Sequence, residues 1–184
     1  TLGGMKGPVS ESEFGAIAAA GAMAVSILAI FNSLGRILWG KISDSIGRKS
    51  SMTIMFALCG VFLLLLDTFR TYPLYLLGIS VVGLCFGGYL ALYPAVTADY
   101  YGTKHYGVNY GWMFSAYGAG GIFGPFLAAW LMKVVEKIPY IDKAAVKIFD
   151  VGSYRGAFVV AGAACLVAAV LVALAMKKPA SKPA

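Results

Sequence analysis

Charge is what this chain has least of. Only 12% of its 184 residues are Asp, Glu, Lys or Arg, against about 25% in an ordinary soluble domain. Histidine occurs once, at His105, in a polar connection. No Ser/His/Asp set, carboxylate pair or metal-ligand spacing falls within an apolar stretch, so the sequence predicts no enzyme, no cofactor and no metal. The three cysteines, Cys59, Cys85 and Cys165, all sit in apolar stretches without ligand spacing and read as small core residues. The net charge is +7, but the cations are scattered through connections with no basic stripe, which argues against a nucleic-acid partner. A cationic balance suits loops that meet anionic lipid headgroups.

What replaces charge is apolar length. The chain is 60% hydrophobic, with a mean hydropathy of +0.80. Phe14–Gly35, Ser50–Leu66, Thr71–Ala98, Tyr106–Met132 and Gly156–Met176 carry no charge at all. A helix crossing a bilayer needs roughly 17–25 apolar residues, and all five qualify. Isolated strands cannot satisfy their backbone groups in lipid, and no alternating barrel pattern is present. The reading is an all-α integral membrane protein with five transmembrane helices. The spans are expected at about 14–41, 50–66, 73–98, 106–132 and 155–176, with a polar loop at 133–154 and a tail at 177–184. The start at Thr1, without Met and in a polar loop, leads to the expectation of a piece of a longer protein.

Orientation is not settled by counting. Lys41, Arg48, Lys49, Lys104, Lys177, Lys178 and Lys182 would face one side, and Lys6, Arg70, Lys133, Lys137, Lys143, Lys147 and Arg155 the other. Seven against seven gives the positive-inside rule no purchase, although the first set lies in shorter loops where that rule works best.

One cation stands apart. Arg36 closes an otherwise charge-free run, and Asn32 lies four residues earlier on the same helix face. An arginine within a span is a functional-site candidate by default, and its planar fork matches a carboxylate in a bidentate way. The alternative is that Arg36 snorkels to the headgroups, since it lies only about 7.5 Å along the helix from Lys41. Tyr89 and Tyr93 share a face, as do Phe114 and Tyr117; they serve either as packing or as cavity walls. Gly83/Gly87, Gly107/Gly111 and Gly120/Gly124 have the spacing that lets helices approach closely. Around Pro125 the same pattern predicts a kink, either for packing or as a hinge.

Directly after Arg36, the run Gly40-Lys-Ile-Ser-Asp44-Ser-Ile-Gly47-Arg48-Lys49 resembles the cytoplasmic loop motif of the major facilitator superfamily. Asn32-Ser-Leu-Gly-Arg36, Gly88-Tyr-Leu-Ala-Leu-Tyr-Pro94 with Asp99, Asn109-Tyr-Gly111 and Gly120-Gly-Ile-Phe-Gly-Pro125 widen the likeness. Together they are similar to the oxalate/formate antiporters and the related monocarboxylate transporters. The resemblance implies that the spans are helices eight to twelve of a twelve-helix transporter, forming most of one six-helix half. Its missing N-terminal half would then be a partner, and loop 42–49 and the C-terminus would be cytoplasmic. In this family Gly40 would permit close helix contact, and Asp44 would face a neighbouring helix terminus. Gly47, Arg48 and Lys49 complete this conformational loop.

The family's substrate-binding arginine matches Arg36, and its cavity positions match Phe86, Tyr89, Phe114 and Tyr117. Two departures matter. Tyr117 stands where the oxalate antiporter has a lysine, which favours a substrate with one carboxylate. Asn32 stands where proton-coupled animal transporters have an aspartate, so a co-transported proton would need another group. The expectation is a secondary transporter of small monocarboxylates such as lactate or pyruvate, by alternating access, in a bacterial inner membrane. The alternatives are an oxalate/formate-type exchanger and a non-transporting membrane subunit or receptor.

Overall fold

The computed structural model describes residues 10–142 and 145–176. Five helices carry the fold: α1 (Glu11–Ile46), α2 (Arg48–Leu65), α3 (Tyr72–Tyr101), α4 (Tyr106–Leu131) and α5 (Arg155–Ala175). A single 3-10 turn, Leu66–Thr68, closes α2. The expected all-α membrane architecture is what the chain adopts. Ser12–Ile46, Arg48–Thr68, Tyr72–Tyr101 and Arg155–Ala175 are long and apolar enough to cross a membrane. Helix α4 carries no charged residue, but its many glycines and tyrosines dilute the aliphatic content, and it is not among these four. The tail at 177–184 lies outside the described residues, as do residues 1–9.

Local chemistry explains where the helices begin and turn. Ser10 caps α1: its Oγ accepts from the Glu13 amide at 3.3 Å, and the Glu13 carboxylate accepts from the Ser10 amide at 3.0 Å. These reciprocal bonds satisfy two otherwise orphaned donors. The charged connection expected over 42–49 is shorter than its polar composition suggests. Helix α1 continues through Asp44 to Ile46, and α2 begins at Arg48, so Gly47 alone makes the turn. Gly47 has φ +88° and ψ 156°, a region essentially confined to glycine that costs an L-residue about 1–3 kcal/mol.

A second difference lies between α4 and α5. The segment expected as a loop forms an antiparallel hairpin, β1 (Lys133–Asp142) with β2 (Ala145–Ser153). Lys133 pairs with Ser153 and Asp142 with Ala145, with an irregularity between Val134 and Glu136. Its sequence is rich in β-branched residues such as Val134, Val135, Ile138, Ile141, Val146 and Ile148, which favour an extended backbone even where lysines interrupt them. The hairpin lies outside the apolar helices, so the helical character of the spans is unaffected.

Helix α1 packs mainly on α3, and α2 on both α3 and α5. The α1–α3 contact is backbone against backbone. A Cβ placed on Gly87 would overlap the Asn32 carbonyl, one on Gly35 would overlap the Leu84 carbonyl, and one on Gly83 would lie 2.9 Å from the Leu28 carbonyl. Leu28 meets Gly83 and Asn32 meets Gly87, so the two helices run in the same direction. Gly60 and Gly162 do the same for α2 and α5, each 2.9–3.0 Å from the other's carbonyl oxygen if given a Cβ. The central core holds Trp39, Met52, Met55, Cys59, Cys85, Tyr89 and Leu92. The other two glycine pairs behave differently. Cβ atoms on Gly107, Gly111, Gly120 and Gly124 would meet nothing within 4 Å, and α4 has no buried residue. Large apolar side chains line the outside: Trp112, Phe126 and Trp130 are each more than 70% exposed. Apolar faces of that extent belong against lipid or protein rather than water.

Candidate functional site

Arg48 is the hub of the turn. Its Nη1 donates to Asp44 Oδ1 at 2.7 Å and to Ser43 Oγ, while its Nε donates to Asp99 Oδ2 at 3.2 Å. One guanidinium therefore ties the C-terminal ends of α1 and α3 to the N-terminus of α2. Asp44 and Asp99 are well exposed, so each pair is worth only about 0–1 kcal/mol. Their arrangement positions three helix ends more than it stabilises them. Ser43 and Asp99 complete this network; Ser43 has no sequence signal beyond its place one residue before the motif's acid. A Cβ on Gly40 would meet nothing within 4 Å among the described residues. Lys49, next to Arg48, is half-buried.

At the opposite end of the bundle the ties are different. The Tyr72 hydroxyl donates to the Ala20 carbonyl at 2.7 Å, and Arg155 Nε lies 3.5 Å from Asp67 Oδ2. Both ends of the helix group are thus pinned by polar contacts, with an apolar middle.

Arg36 lies on α1 between those ends. Because the helix continues to Ile46, ten residues separate Arg36 from its end, about 15 Å at 1.5 Å per residue. Arg36 is exposed, and among the described residues it makes no hydrogen bond or ion pair. Asn32, one turn earlier, is half-buried because its backbone carries the contact with Gly87. The guanidinium is consequently held on a rigid helix, with all its donors free for another group.

The aromatic residues divide into two sets. Phe86, Phe114 and Tyr117 come together across α3 and α4, with ring centroids 6.2 Å apart for Phe86–Tyr117 and 5.1 Å for Phe114–Tyr117. All three are exposed. Tyr89 turns the other way. It is buried and stacked on Phe56 of α2 at 4.6 Å. Tyr89, expected among the cavity positions, thus packs in the core cluster with Trp39 and Met55, the two residues that Gly88 beside it also approaches. Its link to the exposed side is Tyr93, whose ring lies 6.0 Å away. Sequence reasoning passed over Tyr110 and Met113. An available signal was the aromatic repeat Tyr106, Tyr110, Phe114 and Tyr117, which keeps to one face of a helix.

A bundle of long apolar helices, with a free arginine in one span and charged ties at its turns, defines a multi-pass helical membrane protein. The chain belongs to the Major Facilitator Superfamily, which it matches over residues 2–184. It is 34% identical over 107 residues to an oxalate:formate antiporter of Oxalobacter formigenes, covering 57% of this chain and 26% of that protein. It is 37% identical over 84 residues to apicoplast pyruvate carrier 2 of Toxoplasma gondii, covering 45% and 13%. A third relative is monocarboxylate transporter 14 of Mus musculus, 29% identical over 119 residues, covering 62% and 23%. The chain spans about a quarter or less of the length of these curated relatives.

Proposed function

We propose that this chain is most of the C-terminal half of a secondary transporter that moves small monocarboxylates, such as lactate or pyruvate, by alternating access. The observation that carries the reading is Arg36, a cation on an apolar helix that has no partner among the described residues. Removing such a charge from water is costly unless something pairs with it, and a carboxylate matches its fork. Asn32 would orient that carboxylate, while Phe86, Phe114 and Tyr117 enclose the apolar part. Tyr89 would act from behind, by holding Tyr93. The names of the relatives, which include oxalate, formate, pyruvate and monocarboxylate, support a small organic anion.

The missing N-terminal half would complete the site near the midplane, and the two halves would rock around it. The Asp44–Arg48–Asp99 network would latch one state on the cytoplasmic side, together with the C-terminus, in a bacterial inner membrane. Asn32 cannot titrate and so carries no proton; a co-transported proton would ride on another group or on the substrate itself.

The second reading is an oxalate/formate-type anion exchanger, favoured by the antiporter among the relatives. Tyr117 weighs against a dianion, because it adds no second cation. Proteoliposomes holding the full-length protein test both. Labelled lactate, formate and oxalate are offered with and without a pH gradient. The expected result is saturable lactate uptake that Arg36→Ala abolishes. Uptake unchanged by that substitution would sink the role of the arginine, and uptake only against a preloaded anion would select exchange. No saturable uptake of any of the three would favour a non-transporting membrane subunit or receptor.

A further inference from the structure

Between α3 and α4 lies a cleft of about 320 Å³, lined by Leu90, Tyr93, Tyr110, Met113, Phe114 and Tyr117 together with Ala116. Among the described residues no charged side chain lines it. Its aromatic wall is continuous: Tyr106 stacks on Tyr110 at 5.7 Å, Tyr110 meets Phe114 at 5.5 Å, and Phe114 meets Tyr117 at 5.1 Å. Phe86 extends the wall beyond Tyr117. Phe114 and Tyr117 are 44% and 46% exposed.

Size and chemistry together narrow the occupant. A dry apolar cavity of about 150 Å³ accommodates a benzene ring. By that measure, 320 Å³ holds a ring with a short carbon arm, whereas a three-carbon acid leaves most of the space empty. Rings at centroid spacings of about 4.5–7 Å attract a further ring by stacking or edge contact. The tyrosine hydroxyls supply the sparse polar points typical of a ligand cleft. A carboxylate finds no cation in this lining, so the charged end of a ligand must remain outside it.

We infer that this cleft is the subsite for the apolar tail of the carried carboxylate, and that the substrates include monocarboxylates with an aryl or comparably bulky tail. The inference rests on the carboxylate-transport reading, which assigns the charged end to Arg36. It adds Leu90, Tyr93, Tyr110 and Met113 as residues that set specificity.

The test uses the full-length protein and three probes: propanoate, 3-phenylpropanoate and the uncharged 3-phenylpropan-1-ol. Binding is measured by calorimetry in detergent and by competition against labelled propanoate in proteoliposomes. The wild type is expected to bind 3-phenylpropanoate about tenfold or more tighter than propanoate, the gain expected from burying one ring. Leu90→Trp and Met113→Trp each place an indole in the cleft and are expected to bring that ratio to within about twofold. Two variants are used so that a folding failure in one, detected by its elution profile, leaves the other informative. A wild-type ratio near one overturns the inference, as does an unchanged ratio in folded variants. If no acid binds but the alcohol binds the wild type and not the variants, the subsite stands and the carboxylate reading falls. If none of the three probes binds, the subsite falls as well.

Discussion

Individual residues here are selected by space and by charge in different places. Gly87 and Gly120 both belong to pairs with helix-contact spacing, yet they occupy opposite environments. Gly87 faces the Asn32 carbonyl directly, whereas Gly120 has open space around it. Gly87→Val should therefore force α1 away from α3 and lower stability by about 1–3 kcal/mol. Gly120→Val should leave it nearly unchanged in the isolated chain. Thermal unfolding in detergent compares them, and equal shifts would contradict the packing described. Arg36 and Arg48 make the same point for charge. Both lie on apolar helices or at their ends, but Arg48 is committed to Asp44, Ser43 and Asp99, while Arg36 has no partner among the described residues. The sequence marked both as unusual; only their neighbours distinguish a structural cation from one available to a ligand.

At the scale of elements, the helices follow from charge-free runs and their polar ends, and these were legible. The turn at 42–49 was legible as a motif but not as a geometry. Its polar residues look like a loop, yet Ser43 and Asp44 are helical because one residue with positive φ completes the reversal. Gly47→Ala is expected to cost about 1–3 kcal/mol and to speed amide exchange at Ser51, whose N–H bonds the Gly47 carbonyl at 3.2 Å. Exchange at Ser51 as slow as in the wild type would show that the turn tolerates a side chain. The hairpin at 133–153 was not legible because lysines and Pro139 interrupt its β-branched residues, leaving no clean alternation of apolar and polar positions. On α3, the division of Tyr89 from Phe86 depends on which face packs against α2, and a helix apolar all round carries no marker of that choice.

For the whole molecule, helix direction makes a prediction that charge counting could not. The Arg48 network joins the C-terminal ends of α1 and α3, and Tyr72 joins the start of α3 to α1 near Ala20. Cysteines introduced at Ser45 and Thr103 should therefore be labelled by an impermeant maleimide from the same face of sealed membranes, and one at Thr71 from the other. The native cysteines lie in the spans and should react little, Cys59 and Cys85 being buried. Labelling of Ser45→Cys and Thr103→Cys from opposite faces would break the arrangement of α1 and α3. Labelling of both from the outer face would reverse the proposed orientation while leaving the fold intact.

The sequence by itself determined that this is a helical membrane protein of the Major Facilitator Superfamily, because long uncharged runs and a short glycine-rich charged motif are local properties of the chain. It also singled out Arg36, since one cation among apolar residues is visible without coordinates. The tertiary structure decided what each glycine touches, which tyrosine faces the core, and that Tyr93, Tyr110 and Met113 join Phe114 and Tyr117 around one cleft. Those outcomes depend on the rotation of one helix against another. That rotation is set by backbone contacts such as Gly87 on Asn32, between residues fifty-five positions apart in the chain.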